Sequence, residues 1–342
     1  MALNQVGLER LNTATTNKIG ENKNLVINGQ FDIWQRGTDS GSNTTDGILA
    51  CDRWVLASSG ATKQVTRQTF TLGQTDVPSN PKYFLRYAVT TGNNNAALRQ
   101  RIEGVDRVQG TVTLTFYAKG TNPGGGSFNI TNRQDFGTGG SASSPVDTGV
   151  GDFTVTTSWA KKTFTFTPPS ISGKTLGTNN NSYYELEVFR QPASDTSTAA
   201  YTIDIANVQL EVGNVSTDFE HRSFAQELAL CQRYYYRTTP SNQGFYGVGN
   251  IDGGSQGQIL IHFPTEMRSK PTSLETTGTA TDYILRVTSN VNCTGVPTID
   301  NTSTTTALVV PPSSSHGLTD KSGAFLRAGS DSSFLGFAGA EL

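Results

Sequence analysis

Between Tyr201 and Arg237 the spacing of apolar residues changes, and that change limits the folds open to the whole chain. In YTIDIANVQLE, residues Ile203, Ile205, Val208 and Leu210 recur with a period near two that slips at Ala206-Asn207. A period of two marks a half-buried strand, and a one-residue slip marks a bulge. From Ser223 the period lengthens. Phe224, Leu228, Cys231 and Tyr235 fall at i, i+4, i+7 and i+11, one face of a helix. Ser223 and Gln226 have capping-box spacing. Glu227 lies in the first turn and Arg233 and Arg237 in the last, which suits the helix dipole. The pattern predicts a β-domain closing near Glu220, a connecting helix over 223–237, and a different β-rich region over 238–342.

Upstream, NLVINGQFDIWQR alternates around the turn-prone Asn28-Gly29 pair. KQVTRQTF, KYFLRYAVTT, ALRQRIEGV, GTVTLTFYAKG, KKTFTFTPP and YYELEVFR follow, separated by Gly, Asn and Pro turns. In GTVTLTFYAKG, Val112, Leu114 and Phe116 share one face and the threonines the other, a half-buried antiparallel strand. Residues 120–151 are poor in apolar side chains and read as long loops around SFNITNRQDF. Nine or ten strands with almost no helix predict an all-β, antiparallel jelly-roll sandwich over 25–222. GQILIHF, DYILRVTS, TTTALVV, GAFLRAG and SSFLGFAGAEL predict a smaller C-terminal β-domain, with FPTEMRSKPT as a connection. Residues 1–24 carry Leu8, Leu11, Thr15 and Ile19 on one face of a short helix, too little to fold alone. They read as a flexible leader or an attachment segment.

Charge narrows the partners. The 342 residues carry a formal charge of −2, so no electrostatic case exists for nucleic acid. Charged residues make up 16%, below the usual ~25%, which fits extracellular or virion β-structure. The N-terminus has no apolar signal core, and no run approaches the ~20 apolar residues of a membrane span. The expectation is synthesis in the cytoplasm without a signal peptide and no membrane insertion. Cys51, Cys231 and Cys293 are odd in number and far apart, so no disulfide framework or zinc spacing arises. Catalytic motifs are equally sparse. His221, His262 and His316 fall in no zinc-protease pattern, and there is no GxSxG elbow or P-loop. NPGGGS at 122–127 lacks the Lys-Ser/Thr of a phosphate loop. Paired carboxylates of a glycoside hydrolase meet only in space and stay open. The expectation is a non-enzyme.

Four phrases now occur in order: NLVINGQFDIWQRGT, DRW, RQRIEGVDRVQGTVTLTFYAKG and VQLEVGNVSTDFEHRSFAQELALCQRYYYR. Over roughly residues 1–237 the chain resembles a family of bacteriophage virion proteins, the tail-fibre or structural proteins of marine and cyanobacterial phages. That resemblance implies a jelly-roll similar to carbohydrate-binding modules, a variable tip, and display on a virion as a homotrimer. The expected function is a non-enzymatic tail fibre. Residues 1–24 would attach it to another virion protein, and its jelly-roll and tip would face a host-surface glycan. A head fibre or capsid decoration protein and a glycan depolymerase tailspike are the alternatives.

Sugar rings stack on flat aromatic faces. Trp159, Tyr183 and Tyr184 are the glycan-binding candidates, and Tyr183-Tyr184 put one ring on each sheet face. Trp34 and Trp54 alternate in phase with apolar neighbours and read as core first, ligand contacts second. Carbohydrate-binding jelly-rolls often hold a structural Ca²⁺ where first and last strands meet. Asp32 and Asp204 stand at similar positions, although two acids fall short of the six or so oxygens that Ca²⁺ takes. No other cofactor is expected. Phe224, Leu228, Cys231 and Tyr235 are the candidate oligomer contact, because the helical stripe exceeds what one neighbour would cover.

Overall fold

The computed structural model describes residues 23–57, 60–91, 96–124, 126–192, 199–313 and 318–342. All but the last two residues of the predicted attachment segment 1–24, and His316, lie outside them. The chain divides into two compact units, residues 1–223 with Leu342, and residues 224–341.

Unit 1 is an all-antiparallel sandwich. Its strands are β1 (Ile48–Leu49), β2 (Val55–Ala57), β3 (Thr62–Thr69), β4 (Tyr83–Thr91), β5 (Ala97–Glu103), β6 (Val112–Gly120), β7 (Phe128–Asp135), β8 (Val146–Phe153), β9 (Ala160–Phe166), β10 (Tyr183–Arg190) and β11 (Tyr201–Val212). One sheet has the order β1-β2-β5-β10-β7-β8 and the other β3-β4-β11-β6-β9. From β4 onward the chain crosses repeatedly between the sheets, the habit of a jelly-roll. Alternation drives the packing. Leu114, Phe116, Leu186, Ile203 and Leu210 turn inward to one core with Phe31 and Trp54, and Phe164 and Phe166 pack at its margin.

Several local expectations are corrected. NLVINGQFDIWQR forms no strand. Side-chain amides stand in for a ladder. The Asn24 amide donates to Val208 O and its Oδ1 accepts from Leu210 N. The Gln100 amide exchanges two hydrogen bonds with the Ile27 backbone. Gly29 lies so close to Val208 O that an added Cβ would sit 2.2 Å from it. Residues 146–153, read as loop, form edge strand β8. Thr113 and Thr115 do not face water, since they bond to Gly213 O and Ser216 Oγ of the segment that follows β11. The bulge in β11 lies at Ala206–Gln209, with Asn207 at φ 50°.

Unit 2 opens with helix α1 (Phe224–Gln232), which starts one residue later and ends five residues earlier than the predicted 223–237. Tyr234 and Tyr235 N–H groups close its end on Cys231 O. β12 (Tyr236–Thr238) then leaves the helix to pair with a strand about a hundred residues away, so Arg233 and Arg237 lie beyond the last turn. The remaining strands are β13 (Phe245–Asp252), β14 (Gln256–His262), β15 (Ser273–Glu275), β16 (Tyr283–Arg286), β17 (Asn290–Asn292), β18 (Thr298–Thr302), β19 (Thr306–Val310), β20 (Gly323–Ala328) and β21 (Leu335–Ala338). They form a three-stranded sheet, β12-β21-β15, and a seven-stranded sheet, β17-β16-β20-β13-β14-β19-β18. A second core, with Ile259, Tyr283, Leu285, Leu326 and Phe337, holds them. On the seven-stranded sheet Phe325, Val248 and Leu260 form a cross-strand row that stays exposed, with the Phe245 ring tilted against Phe325 at 5.2 Å between centroids.

The candidate oligomer contact is also corrected. Cys231 and Tyr235 are buried within the chain, and Tyr235 OH donates to Glu275. Leu228 is half-buried, and only Phe224 is well exposed, at 63%. Among the described residues no helix is long and apolar enough to cross a membrane.

Candidate functional site

The six-stranded sheet of unit 1 carries a charged lattice on its outer face. On β10, Tyr184 and Leu186 enter the core, so Tyr183, Glu185 and Glu187 point outward. Antiparallel register places each beside a partner on both flanking strands. Glu185 stands between Arg101 of β5 and Arg133 of β7, and Arg133 faces Asp147 of β8. Glu187 stands between Arg99 and Thr131, and Thr131 faces Gly149. Cross-strand pairs of opposite charge stabilise a sheet.

A bulge completes the set. In a regular strand, residues i and i+3 face opposite ways. The register of β10 slips after Glu187, and Arg190 turns to the outer face. There Arg190 Nε and Nη2 bind the two Glu187 oxygens at 2.7 and 2.8 Å. Donating to Glu187 raises the guanidinium pKa further. Thr131 Oγ1 donates to the same carboxylate. Arg101 Nε meets Glu185 Oε2 at 2.7 Å and its guanidinium lies 4.4 Å over the Tyr183 ring. Glu185 and Glu187 are 4% and 3% exposed. Between these rows and β8 lies a cleft of ≈ 370 Å³, which Gly149 leaves open on one side. Pockets that take small ligands begin near this size. The cleft presents acceptors and donors in alternation, the pattern that a polyhydroxylated ligand matches. Both carboxylates already have cationic partners.

The predicted site residues scatter. Tyr183 lies on this face, one row beyond the cleft. Burial raises its phenol pKa, with Asp135 and Glu185 adding to the rise and Arg101 opposing it. Tyr184 is fully buried, so its ring is not a ligand contact. Trp159 sits on the outer face of the other sheet, packed 5.3 Å from both Phe70 and Phe84, with Lys119 Nζ 5.0 Å over it. Trp34 and Trp54 are core, their indoles donating to Phe31 O and Asn28 O. Asp204 does not fit a calcium site. Arg86 takes both its oxygens, at 2.7 and 2.8 Å, and Lys119 stands 3.9 Å away. Asp32 lies in irregular backbone after the Gly29-Gln30 turn, and no group of three metal-ligating acids, histidines or cysteines occurs among the described residues. The Glu185, Glu187, Arg99, Arg101, Arg133 and Arg190 lattice escaped the sequence reading. Its signal was present in RQR and ELE, two strands with opposite charges at period two.

Comparison with protein-family models gives no match, and neither does comparison with curated proteins. Part of the chain is similar to a β-sandwich carbohydrate-binding module of promiscuous specificity, at 16% identity and TM-score 0.31 over 51% of this chain and 62% of that one. It is similar to the enzymatically active domain of bacteriophage CBA120 tailspike protein 4, at 16% identity and TM-score 0.31 over 55% of this chain and 21% of that one. A putative sugar-binding protein from Bacteroides thetaiotaomicron matches at 13% identity and TM-score 0.33, over 55% of this chain and 99% of that one.

Proposed function

We propose that this chain is a non-enzymatic virion fibre protein of a bacteriophage that binds a host-surface glycan through unit 1. The observation that carries the glycan reading is the ≈ 370 Å³ cleft on the six-stranded sheet, lined by pre-paired carboxylates and guanidiniums. Hydroxyls of a sugar both donate and accept, so such a lattice meets them without net charge. Side chains locked in ion pairs across strands lose little further freedom on binding. The phage assignment rests on the ordered phrases of residues 1–237, and with it go attachment through residues 1–24 and a tail location.

The fibre is a homotrimer in this reading. Its contact moves from the helix to the seven-stranded sheet of unit 2, where Phe245, Val248, Leu260 and Phe325 are 40–57% exposed in one patch. Apolar patches of this kind mark association surfaces. The test is a glycan array probed with the purified full-length chain, followed by incubation of bound polysaccharide and assay of new reducing ends. Binding without new reducing ends is expected. No binding would overturn the glycan reading, and new reducing ends would replace the binder with a depolymerase. Light scattering should give three times 36.6 kDa, and a monomer at micromolar concentration would remove the trimer.

A further inference from the structure

One guanidinium in the cleft is not satisfied by its neighbours. Arg99 stands opposite Glu187 on the outer face, its side chain 19% exposed. Its nearest carboxylate oxygen, Glu185 Oε1, is 3.6 Å from Nη1, beyond hydrogen-bond reach. Its buried Nε has no partner among the described residues. The neighbouring arginines differ. Arg101 holds Glu185 at 2.7 Å, Arg190 grips both oxygens of Glu187, and Arg133 lies between Asp135 and Asp147 at 3.4 and 3.3 Å. Glu185 therefore has a close cation already, and Arg99 is left as a second.

A buried donor without an acceptor costs free energy, more when it is charged. The planar fork of a guanidinium matches a carboxylate with two parallel hydrogen bonds. We propose that Arg99 makes the cleft selective for a glycan that bears a carboxylate, with one uronic-acid carboxyl seated on the Arg99 fork. This inference rests on the glycan reading above. A single, spaced acid group is the match. Glu185, Glu187 and Asp147 line the same cleft and repel a second anion nearby, which disfavours densely sulfated chains.

The experiment is calorimetric titration of the full-length chain with hyaluronan, alginate and galacturonan oligosaccharides, each beside its carboxyl-reduced form. The reduced form keeps the sugar and loses the charge. At least one acid form should bind about tenfold or more tightly than its reduced partner, as a charge-assisted bond requires. Arg99→Gln should bring the two affinities together. Arg99→Lys should fall between, since it keeps charge and loses the fork. Arg99 has no hydrogen bond to lose, only its 3.6 Å ion pair with Glu185, so Arg99→Lys, which keeps the charge, should melt with wild type, and this separates a lost fork from a lost fold. Equal or weaker binding of the acid forms would overturn the carboxylate and leave glycan binding standing. Silence from every oligosaccharide, and from neutral glycans on the array, would overturn both.

Discussion

The side-chain amide of Asn28 joins two segments that no strand connects. It donates to Ile33 O and Asp52 O, and its Oδ1 accepts from Ile33 N, all in the interior. Asn28 also holds φ 58°, a conformation that asparagine tolerates better than most side chains. Asn28→Ala would leave Ile33 N without its acceptor and would take a donor from Asp52 O and from Ile33 O, the latter keeping Asp52 N at 3.2 Å, each buried group stripped of its partner costing about 1–3 kcal/mol. The urea midpoint of unfolding should drop by an amount equivalent to roughly 3 kcal/mol or more, and a variant as stable as wild type would show that the amide is dispensable. Cys293 makes a second case. Burial pushes its thiol up to about 12 from the ordinary 9.0, against a lowering hydrogen bond from the Leu285 backbone. A raised pKa favours the folded chain below the unfolded value, and that advantage is lost as pH climbs through the native one. Between pH 9.0 and about 12 the wild type should lose stability faster than Cys293→Ala, as read from urea midpoints across that range.

At the scale of elements, β8 is a strand because of what it pairs with. VDTGVGDF has no clean alternation, yet it completes the ladder of β7 from Phe128–Phe153 to Gln134–Val146. Gly149 within it faces Thr131 across the cleft, and a Cβ there meets nothing within 4 Å. Gly149→Val should therefore leave the melting temperature unchanged or raise it slightly, valine being the better strand former. It should also narrow the cleft and weaken glycan binding by about tenfold or more. Unchanged affinity would place the ligand elsewhere. The same contrast explains which elements were legible. The inward side of β10 follows from Tyr184 and Leu186 alone. Arg190 does not, because its face is set by a bulge whose register belongs to β5 and β7 as well. The helix was overextended because Tyr234 and Tyr235 continue its stripe, whereas Tyr236 is claimed by Phe337, far along the chain. Asn24 and Gln100 look like surface residues in sequence, and only the fold shows that their amides replace a ladder.

On the scale of the whole molecule, unit 1 is closed by its own two ends. Leu25 N donates to Leu210 O, Lys23 N and Asn24 N donate to Glu220, and Arg222 reaches back to Asn24 O and Val26 O. These partners stand nearly two hundred residues apart. A contact of such separation forms only after the chain between has been ordered, and folds rich in them fold slowly. For a chain still being synthesised this becomes a matter of time. At about 5–20 residues per second, the segment around Asn24 waits for many seconds before Leu210 and Arg222 exist to receive it. Ribosome-bound chains ending near Arg190 should be cut readily by protease in unit 1, and chains carrying residue 222 well beyond the exit tunnel should resist. Protection at both lengths would mean that the N-terminal segment docks without its partners. If protection comes only with the longer chain, a message cut short within unit 1 yields no sandwich, and the outer face of the six-stranded sheet is not built until the last residues of that unit have been translated.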